Sequence, residues 1–434
     1  MRKFFSLVVV SMIVISSYAQ NPEISILFIG NSLTNGNSTN IDDPTTGHSI
    51  AYNFRGLAMA AGFNVHVEMY APNGVYIYDD PNNSNNIGHC NRTITENLIN
   101  SRQWDYVFVQ DNVGSYMWSD GYLSADVGNS NVALHDKIIA NNPCTKEIFY
   151  SAQGFYDGLP SQYWHSGGLD LSYDDNIQAT IRSYRNSLYL NNVGGFEIVT
   201  PAGLAWNRYC NDGHSKDDLY YDTAHPTEKG AYLSGAVVFC SVFKMDPTDI
   251  NWDNGFSDGQ YLRQIAYETV MDNTVYTETR LDVFTPELSY NANEISVDNT
   301  FNAYQWYLTP NQIPGANAQS YIINQTGLYF AEVTDANGCK LRSKVTNYDY
   351  VTGVGSVDDS KILVFPNPAL NNINLTGIDI NSKIIITDVN GKIIISETAN
   401  SNTHTINISN LNQGTYFVKV INENNVLVKK IIKE

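Results

Sequence analysis

Short apolar runs alternate with helix-like patterns through residues 21–280, and this alternation is the strongest constraint on what the chain can fold into. The apolar runs are 25–29, 63–68, 106–110, 147–152 and 196–200. Helical spacing follows them at 49–61, 93–100, 132–141 and 175–191, and again from Thr227 onward. Strands separated by helices pair in parallel through right-handed crossovers, so we predict a three-layer α/β/α domain with a parallel sheet.

The pattern changes after about residue 281, where apolar and polar residues alternate with period two and no helical window remains. Residues 281–350 resemble bacterial immunoglobulin-like modules, with Trp306 in the place of the core tryptophan and Tyr329 in that of the corner tyrosine. Residues 351–360 are rich in small side chains and are interpreted as a linker. We therefore expect two small β-sandwich domains after the α/β/α domain.

The last of these domains, residues 361–434, contains the sequence DVNGK at 388–392 and GTY at 414–416. Asn390-Gly391 predicts a type I′ hairpin between two apolar strands. The segment resembles the C-terminal sorting domain of the type IX secretion system of Bacteroidota. The resemblance implies recognition by the outer-membrane secretion machinery and a secreted or cell-surface protein.

The first twenty residues predict a signal peptide. Arg2 and Lys3 form the charged region, residues 7–15 the apolar region, and Ser17-Tyr18-Ala19 a small-x-small cleavage site. The apolar run is shorter than the roughly 20 residues that a membrane helix needs, and we expect no transmembrane segment elsewhere. Export to the periplasm is the expected first step.

Charge and cysteine usage exclude several kinds of function. A formal net charge of −19 argues against nucleic acid as a partner, because phosphate neutralisation needs clustered Lys and Arg. No His or Cys has zinc-site spacing, so neither a metal nor a cofactor is expected. Cys90, Cys144, Cys210 and Cys240 allow three pairings that sequence does not distinguish, and some of them suit buried thiols equally well. Cys339 is expected to have no upstream partner.

Two short motifs carry candidate catalytic residues. The first apolar run ends in Gly30-Asn31-Ser32, a turn that exposes one serine at the carboxyl edge of a parallel sheet. Far downstream, Asp222 precedes His225 by three residues, as a base and its orienting carboxylate require. We predict Ser32 as nucleophile, His225 as base and Asp222 as its orienting group; Asp217 and Asp218 are rivals for the last role. An ordinary helix N-cap is the alternative for Ser32, and the other histidines are interpreted as structural, without such a partner.

The two motifs, in this order, resemble the first and last blocks of the SGNH (GDSL-like) hydrolase family. The resemblance implies an oxyanion hole made by the Ser32 N–H, a second-block glycine and a third-block asparagine. Gly74, after the second strand, matches the glycine. The third block departs from the family pattern, so that either Asn112 or Gln110 is the expected amide donor. Trp206 and Tyr209 are expected to pack in the core rather than line the cleft.

These features predict an exported serine esterase that hydrolyses small acyl esters, acetyl above all, with an acylated carbohydrate as the expected substrate. A lipid esterase is the enzymatic alternative. A non-catalytic surface protein for adhesion or glycan binding is the alternative of a different class.

Overall fold

A five-stranded parallel sheet forms the centre of the first part of the protein. This computed structural model describes residues 21–35, 49–80, 83–111, 125–158, 180–181, 198–271, 286–291, 293–350, 362–389, 392–421 and 426–434. The strands of the sheet are β1 (Ile24–Ile29), β2 (Val65–Tyr70), β3 (Tyr106–Val109), β4 (Lys146–Tyr150) and β5 (Ile198–Thr200), in the order β2-β1-β3-β4-β5. The sequence predicted all five strands, with boundaries that differ by at most a few residues.

Helices cover both faces of the sheet. They are α1 (Ser32–Asn35), α2 (Ile50–Ala60), α3 (Thr93–Ile99), α4 (Ala125–Asn141), α5 (Ala202–Asn211), α6 (Glu228–Phe243) and α7 (Gly259–Met271). Helix α4 begins seven residues before its predicted start, and α1, α5 and α7 were not predicted. The helix predicted at 175–191 lies outside the described residues, apart from residues 180–181.

Alternate side chains of β1 point into two separate hydrophobic clusters. Phe28 belongs to the cluster that contains Phe54 of α2, whereas Leu27 belongs to the cluster that contains Leu134 of α4. Because successive side chains of a strand point to opposite faces, the sheet lies between two helical layers. The predicted three-layer fold is confirmed, and it places the carboxyl end of β1 at the sheet edge where such folds hold their ligands.

The segment expected to be immunoglobulin-like forms two antiparallel sheets. Its strands are β6 (Leu288–Asn291), β7 (Glu294–Val297), β8 (Ala303–Leu308), β9 (Asn311–Gln312), β10 (Ser320–Ile322), β11 (Gly327–Thr334), β12 (Lys340–Arg342) and β13 (Thr346–Tyr348). One sheet has the order β10-β7-β6; the other has the order β12-β11-β8-β9, with β13 paired to β11. Trp306 and Tyr329 are both buried, as predicted.

This segment shares a hydrophobic core with the α/β part. The described residues up to Ile323, together with Gly327–Tyr348, form one compact unit. Tyr307, Phe330 and Val345 belong to the same cluster as the residues of α2 and α6, and the Val345 N–H donates to the Lys244 carbonyl. The β strands therefore pack directly on the α/β domain.

A disulfide joins the two parts of this unit. Cys144, just before β4, is bonded to Cys339, just before β12. The expectation that Cys339 has no upstream partner is therefore wrong, because its partner lies in the preceding domain and was not recognisable within the module's own sequence. Cys90 and Cys240 are buried thiols, and Cys210 is a partly exposed thiol.

Asn324–Thr326 and the described residues from Asp349 on form a second compact unit. Its strands are β14 (Leu363–Phe365), β15 (Asn372–Thr376), β16 (Lys383–Thr387), β17 (Ile393–Thr398), β18 (Thr403–Asn407), β19 (Gly414–Ile421) and β20 (Val426–Lys433). They form sheets of order β14-β15-β18 and β17-β16-β19-β20 around a core of Ile, Leu and Val side chains. The predicted signal peptide, the linker 351–360 and Asn390-Gly391 lie outside the described residues. Among the helices in the described ranges, none has the length and apolar character needed to span a membrane.

Candidate active site

Ser32 begins α1 directly after the strand β1 has ended. Asn31 caps this turn, since its side-chain oxygen accepts a hydrogen bond from the Leu33 N–H at 3.1 Å, and its amide donates to the Val75 carbonyl at 3.1 Å. Gly30 is required here, because a Cβ at this position would collide with the side chains of Thr34 and Gln110. The chain therefore turns sharply and leaves Ser32 partly exposed at the carboxyl edge of the sheet.

Asp222 and His225 lie at the tip of a small hairpin that leads into α6. An isolated bridge pairs Tyr220 with Pro226, and the Tyr221 N–H donates to the His225 carbonyl at 2.9 Å. The Asp222 carboxylate accepts the backbone N–H groups of Ala224 and His225 at 2.9 and 2.8 Å, so it stabilises the tip of its own turn. The hairpin thereby holds the imidazole in one orientation.

The three predicted catalytic side chains form a continuous hydrogen-bonded chain. Ser32 Oγ lies 2.8 Å from His225 Nε2, and His225 Nδ1 lies 2.8 Å from Asp222 Oδ2. Because a carboxylate only accepts, the ring proton belongs on Nδ1, and Nε2 is left to accept the Ser32 hydroxyl proton. This arrangement can remove the proton from a serine as it attacks a carbonyl carbon.

The environment of Asp222 favours its ionised form. Partial burial raises the pKa of its carboxyl, but the backbone N–H groups of His225 and Ala224 and the His225 imidazole outweigh this effect, so the pKa lies below its ordinary value. The side chains of His225 and Asp222 are 35% and 45% exposed. The Asp222 side of the imidazole is thus anionic, and both side chains are partly open to solvent.

The predicted rivals of Asp222 have other partners. Asp217 accepts from the Tyr156 hydroxyl at 2.7 Å, and Asp218 accepts from the Tyr209 hydroxyl at 2.8 Å. Trp206 and Tyr209 are buried in the core, as expected. Sequence spacing alone did not decide which of the three carboxylates pairs with His225. The hairpin geometry shows that it is Asp222.

Three of the other histidines also contact a carboxylate, although none of them has an acidic residue three positions before it, as His225 does. His66 contacts Glu68, His135 contacts Glu147 and His404 contacts Glu397, all within 2.8 Å. His66 and Glu68 lie two residues apart on β2, whereas each of the other two pairs joins residues of different elements that tertiary packing brings together. Ser32 is hydrogen-bonded to the histidine that sequence predicted, His225.

The loop that carries Gly74 is bound to the nucleophile turn on both sides of Ser32. Asn31 donates to the Val75 carbonyl, and Asn35 donates to the Ala71 carbonyl at 2.5 Å and to Asn73 Oδ1 at 2.7 Å. Gly74 has φ +71°, and a Cβ there would meet open space. Within the described ranges, the N–H groups of Ser32 and Gly74 donate no hydrogen bond, as a pair of oxyanion donors requires.

Gln110 has a different place from the one predicted for it. Its side chain is fully buried; its oxygen accepts from the Asn31 N–H at 3.0 Å and from the Thr34 hydroxyl at 2.8 Å. Its amide nitrogen donates to the carbonyl of Asp111. Gln110 therefore anchors the turn that carries Ser32. Because its amide nitrogen already donates to Asp111, it does not suit the role of a donor to an oxyanion. Asn112, the alternative, lies outside the described residues.

His89 contacts the site but was not predicted to do so. It is buried, and its Nε2 lies 2.8 Å from the carbonyl of Gly30. No local motif marks it, because its partner is 59 positions away in the chain. Among the described residues, no group of His, Cys, Asp and Glu side chains is arranged to hold a metal ion.

Three solved structures are similar to part of this chain. A DUF4886 family protein from Bacteroides uniformis is 12% identical, with a TM-score of 0.43 over 60% of this chain and 98% of its own. A proposed GDSL-like lipase from Parabacteroides merdae is 14% identical, with a TM-score of 0.35 over 50% of this chain and 94% of its own. A carbohydrate acetylesterase from Sinorhizobium meliloti is 17% identical, with a TM-score of 0.35 over 50% and 98%.

A comparison of the chain with curated proteins found no match. The sequence of the last domain, by contrast, matches a known family model. The family model for the secretion system C-terminal sorting domain matches residues 363–434. This match confirms the predicted sorting domain and the predicted partnership with the type IX secretion machinery. The chain thus ends in a type IX sorting domain, and the protein is secreted or displayed at the cell surface.

Proposed function

We propose that the protein is an exported serine esterase. The observation that carries the proposal is the chain of contacts from Ser32 Oγ to His225 Nε2 and from His225 Nδ1 to Asp222, each of 2.8 Å. A serine hydroxyl is a weak nucleophile unless a base lies within hydrogen-bond distance. A helix N-cap, the alternative role for Ser32, does not account for the imidazole and carboxylate aligned behind the hydroxyl.

The reaction has two steps. Ser32 Oγ attacks the ester carbonyl carbon while His225 Nε2 takes its proton; collapse of the tetrahedral intermediate breaks the bond to the alcohol, which leaves with that proton. Water, activated by the same imidazole, then cleaves the acyl–Ser32 bond and releases the acid. Asp222 keeps the imidazole in the required tautomer and stabilises its charged form.

The backbone N–H groups of Ser32 and Gly74 are the proposed donors to the oxyanion. Their availability and the attachment of the Gly74 loop to both flanks of Ser32 support this assignment. Asn112 remains the proposed side-chain donor. Donors that already point at the developing charge lower the barrier without reorganisation, typically by a factor of about 10²–10³ in rate for each donor.

Small acyl esters of carbohydrates, acetyl esters above all, are the proposed substrates. The exposed fractions of His225 and Asp222, 35% and 45%, leave the dyad accessible to an ester group on a bulky polymer. Export by the sorting domain delivers the enzyme to the compartment where such polymers are met. A lipid esterase would hydrolyse long acyl chains faster than acetyl, so acyl-chain preference distinguishes the two.

Hydrolysis of 4-nitrophenyl acetate by the purified chain tests the proposal. We expect turnover in the wild type and a loss of about 10³-fold or more in Ser32→Ala, His225→Ala or both, because the residues act as a unit. Ser101→Ala, which changes an exposed serine after α3, is the matched control and is expected to behave as wild type. Turnover at the wild-type rate in Ser32→Ala refutes the nucleophile. If the wild type hydrolyses neither acetyl nor longer esters, the esterase proposal is wrong and the non-catalytic surface protein is the alternative that remains.

A further inference from the structure

The peptide group that joins Gly30 to Asn31 is held at both ends by buried side chains. His89 Nε2 lies 2.8 Å from the Gly30 carbonyl oxygen, and the Asn31 N–H donates to Gln110 Oε1 at 3.0 Å. These two backbone groups belong to one planar peptide unit. Rotation of that unit would break both bonds at once. It is the peptide immediately before the one that carries the Ser32 N–H.

The hydrogen-bond partners of His89 determine its protonation state. A carbonyl oxygen only accepts, so Nε2 must carry the proton that goes to Gly30. Nδ1 is then the acceptor for the Thr95 hydroxyl, which lies at 2.8 Å. His89 and Thr95 are both 1% exposed, so no water is needed to complete the pair. The neutral tautomer with a proton on Nε2 is therefore fixed by two neighbours.

Burial keeps the imidazole in this neutral form. Desolvation lowers the pKa of His89 to about 4, while the Gly30 carbonyl acts in the opposite direction and the nearby Arg92 adds to the lowering. The imidazole and the Tyr70 ring pack nearly perpendicular to each other, with 5.7 Å between ring centroids. At neutral pH the residue is thus a rigid, uncharged donor.

We propose that His89 is a positioning residue of the esterase, which together with Gln110 clamps the Gly30–Asn31 peptide and so fixes the direction of the Ser32 N–H and hydroxyl. The role rests on the proposed function, since it acts through Ser32. Both side chains are buried, so neither is expected to touch the substrate. Displacing a reacting group by about 1 Å is enough to cost up to about 10²-fold in rate, so a rotated peptide should lower turnover with little effect on substrate binding.

Two substitutions of His89 separate positioning from simple packing. His89→Gln places an amide N–H near the original Nε2 position, whereas His89→Leu fills the space without a donor. We expect kcat on 4-nitrophenyl acetate to fall about tenfold or more in His89→Leu, with KM within about twofold of wild type, and most of the loss to be restored in His89→Gln. His135→Leu removes another histidine of a hydrogen-bonded pair and is the control for lost stability alone.

Amide hydrogen exchange measures the clamp without reference to activity. A peptide covering residues 24–33 should exchange faster at Asn31 in His89→Leu than in the wild type or His89→Gln. If His89→Leu does not fold, Thr95→Val keeps the shape and removes the hydroxyl that orients the ring, and we expect a smaller loss of kcat, about threefold. Folded variants with wild-type kcat and wild-type exchange at Asn31 overturn the proposal. A wild type without turnover overturns the proposed function instead, while the exchange result still decides whether the clamp exists.

Discussion

At the residue scale, Gly74 combines a left-handed backbone with an N–H group that no described residue accepts. Because a Cβ would meet open space, the cost of Gly74→Ala comes from its φ of +71° rather than from a collision, about 1 kcal/mol. We expect the backbone to shift and kcat to fall by about tenfold or more, with KM less affected, because an oxyanion donor acts in the transition state.

Gly213 provides a matched control for this prediction. It lies after α5 with φ +96°, and a Cβ there would also meet open space. Gly213→Ala should lower the thermal midpoint as much as Gly74→Ala does, yet leave kcat unchanged. Equal kcat values in the two variants would remove Gly74 from the oxyanion hole. Steady-state kinetics and thermal unfolding on the same samples decide the question.

The buried imidazole of His89 also predicts how stability depends on pH. Its pKa is lowered from 6.5 to about 4, so below pH 6.5 the unfolded chain binds a proton that the folded protein does not. The free energy of unfolding should therefore decrease as the pH falls from about 6.5 to about 4, by roughly 3 kcal/mol in total. Denaturant unfolding of His89→Gln should show a smaller decrease over this window; identical pH profiles for the two proteins would contradict the assignment.

The contacts that join Ser32, His225 and Asp222 could be predicted because these residues lie in two short, recognisable segments. One is an apolar strand that ends in a small-residue turn, and the other has an acidic residue three positions before a histidine. The contacts of Gln110 and His89 could not be predicted in this way. Gln110 follows a strand as an oxyanion donor would, but its side chain bonds to Asn31 and Thr34, on the neighbouring strand's turn. Contacts between residues that are far apart in the chain cannot be predicted from the local spacing of residue types.

At the scale of elements, buried strands were easier to recognise than helices packed on one another. A parallel strand covered on both faces reads as a continuous apolar run, as β1 and β3 do. Helix α7 was missed although Leu262, Ile265, Ala266 and Val270 have helical spacing and are all buried. Its hydrophobic residues are interspersed with polar ones, and the preceding loop at 244–258 made its first residue difficult to identify from sequence.

The junction between the α/β domain and strands β6–β13 gives a prediction at this scale. The Cys144–Cys339 disulfide links positions 195 residues apart, so it removes much conformational freedom from the unfolded chain. Cys339→Ser should lower the free energy of unfolding by about 2–4 kcal/mol, and addition of a reductant should lower that of the wild type similarly. Cys210→Ser, at a partly exposed free thiol, is the control. Unchanged stability in Cys339→Ser would exclude a stabilising role for the bond.

At the scale of the whole molecule, the boundary between the compact units does not lie at residue 281, where the sequence pattern changes. The period-two pattern predicted separate domains after that point, but Tyr307 of β8, Phe330 of β11 and Val345 before β13 share a core with α2 and α6. Sequence periodicity reports the type of structure and not which hydrophobic faces will meet. The sorting domain, by contrast, has a core of its own.

This difference predicts opposite results for two truncations. Removal of the chain from Val351 leaves the first unit intact, so esterase turnover and the unfolding midpoint of that unit should match the full-length protein. Removal from residue 286 onward also deletes Cys339 and exposes the apolar surface that Tyr307 and Phe330 cover, so this variant should aggregate or unfold at much lower temperature.

In the native host, the truncation at Val351 should also stop export, because it removes residues 363–434, the sorting domain. Fractionation should find the active enzyme retained in the periplasm, while the full-length chain reaches the cell surface or the medium. Mass spectrometry should show that the exported form lacks the tail that ends at Glu434. Normal export of the truncated chain, or an exported form that keeps Glu434, would contradict a cleaved sorting signal. Loss of turnover in the purified truncated chain would instead contradict the independence of the first unit.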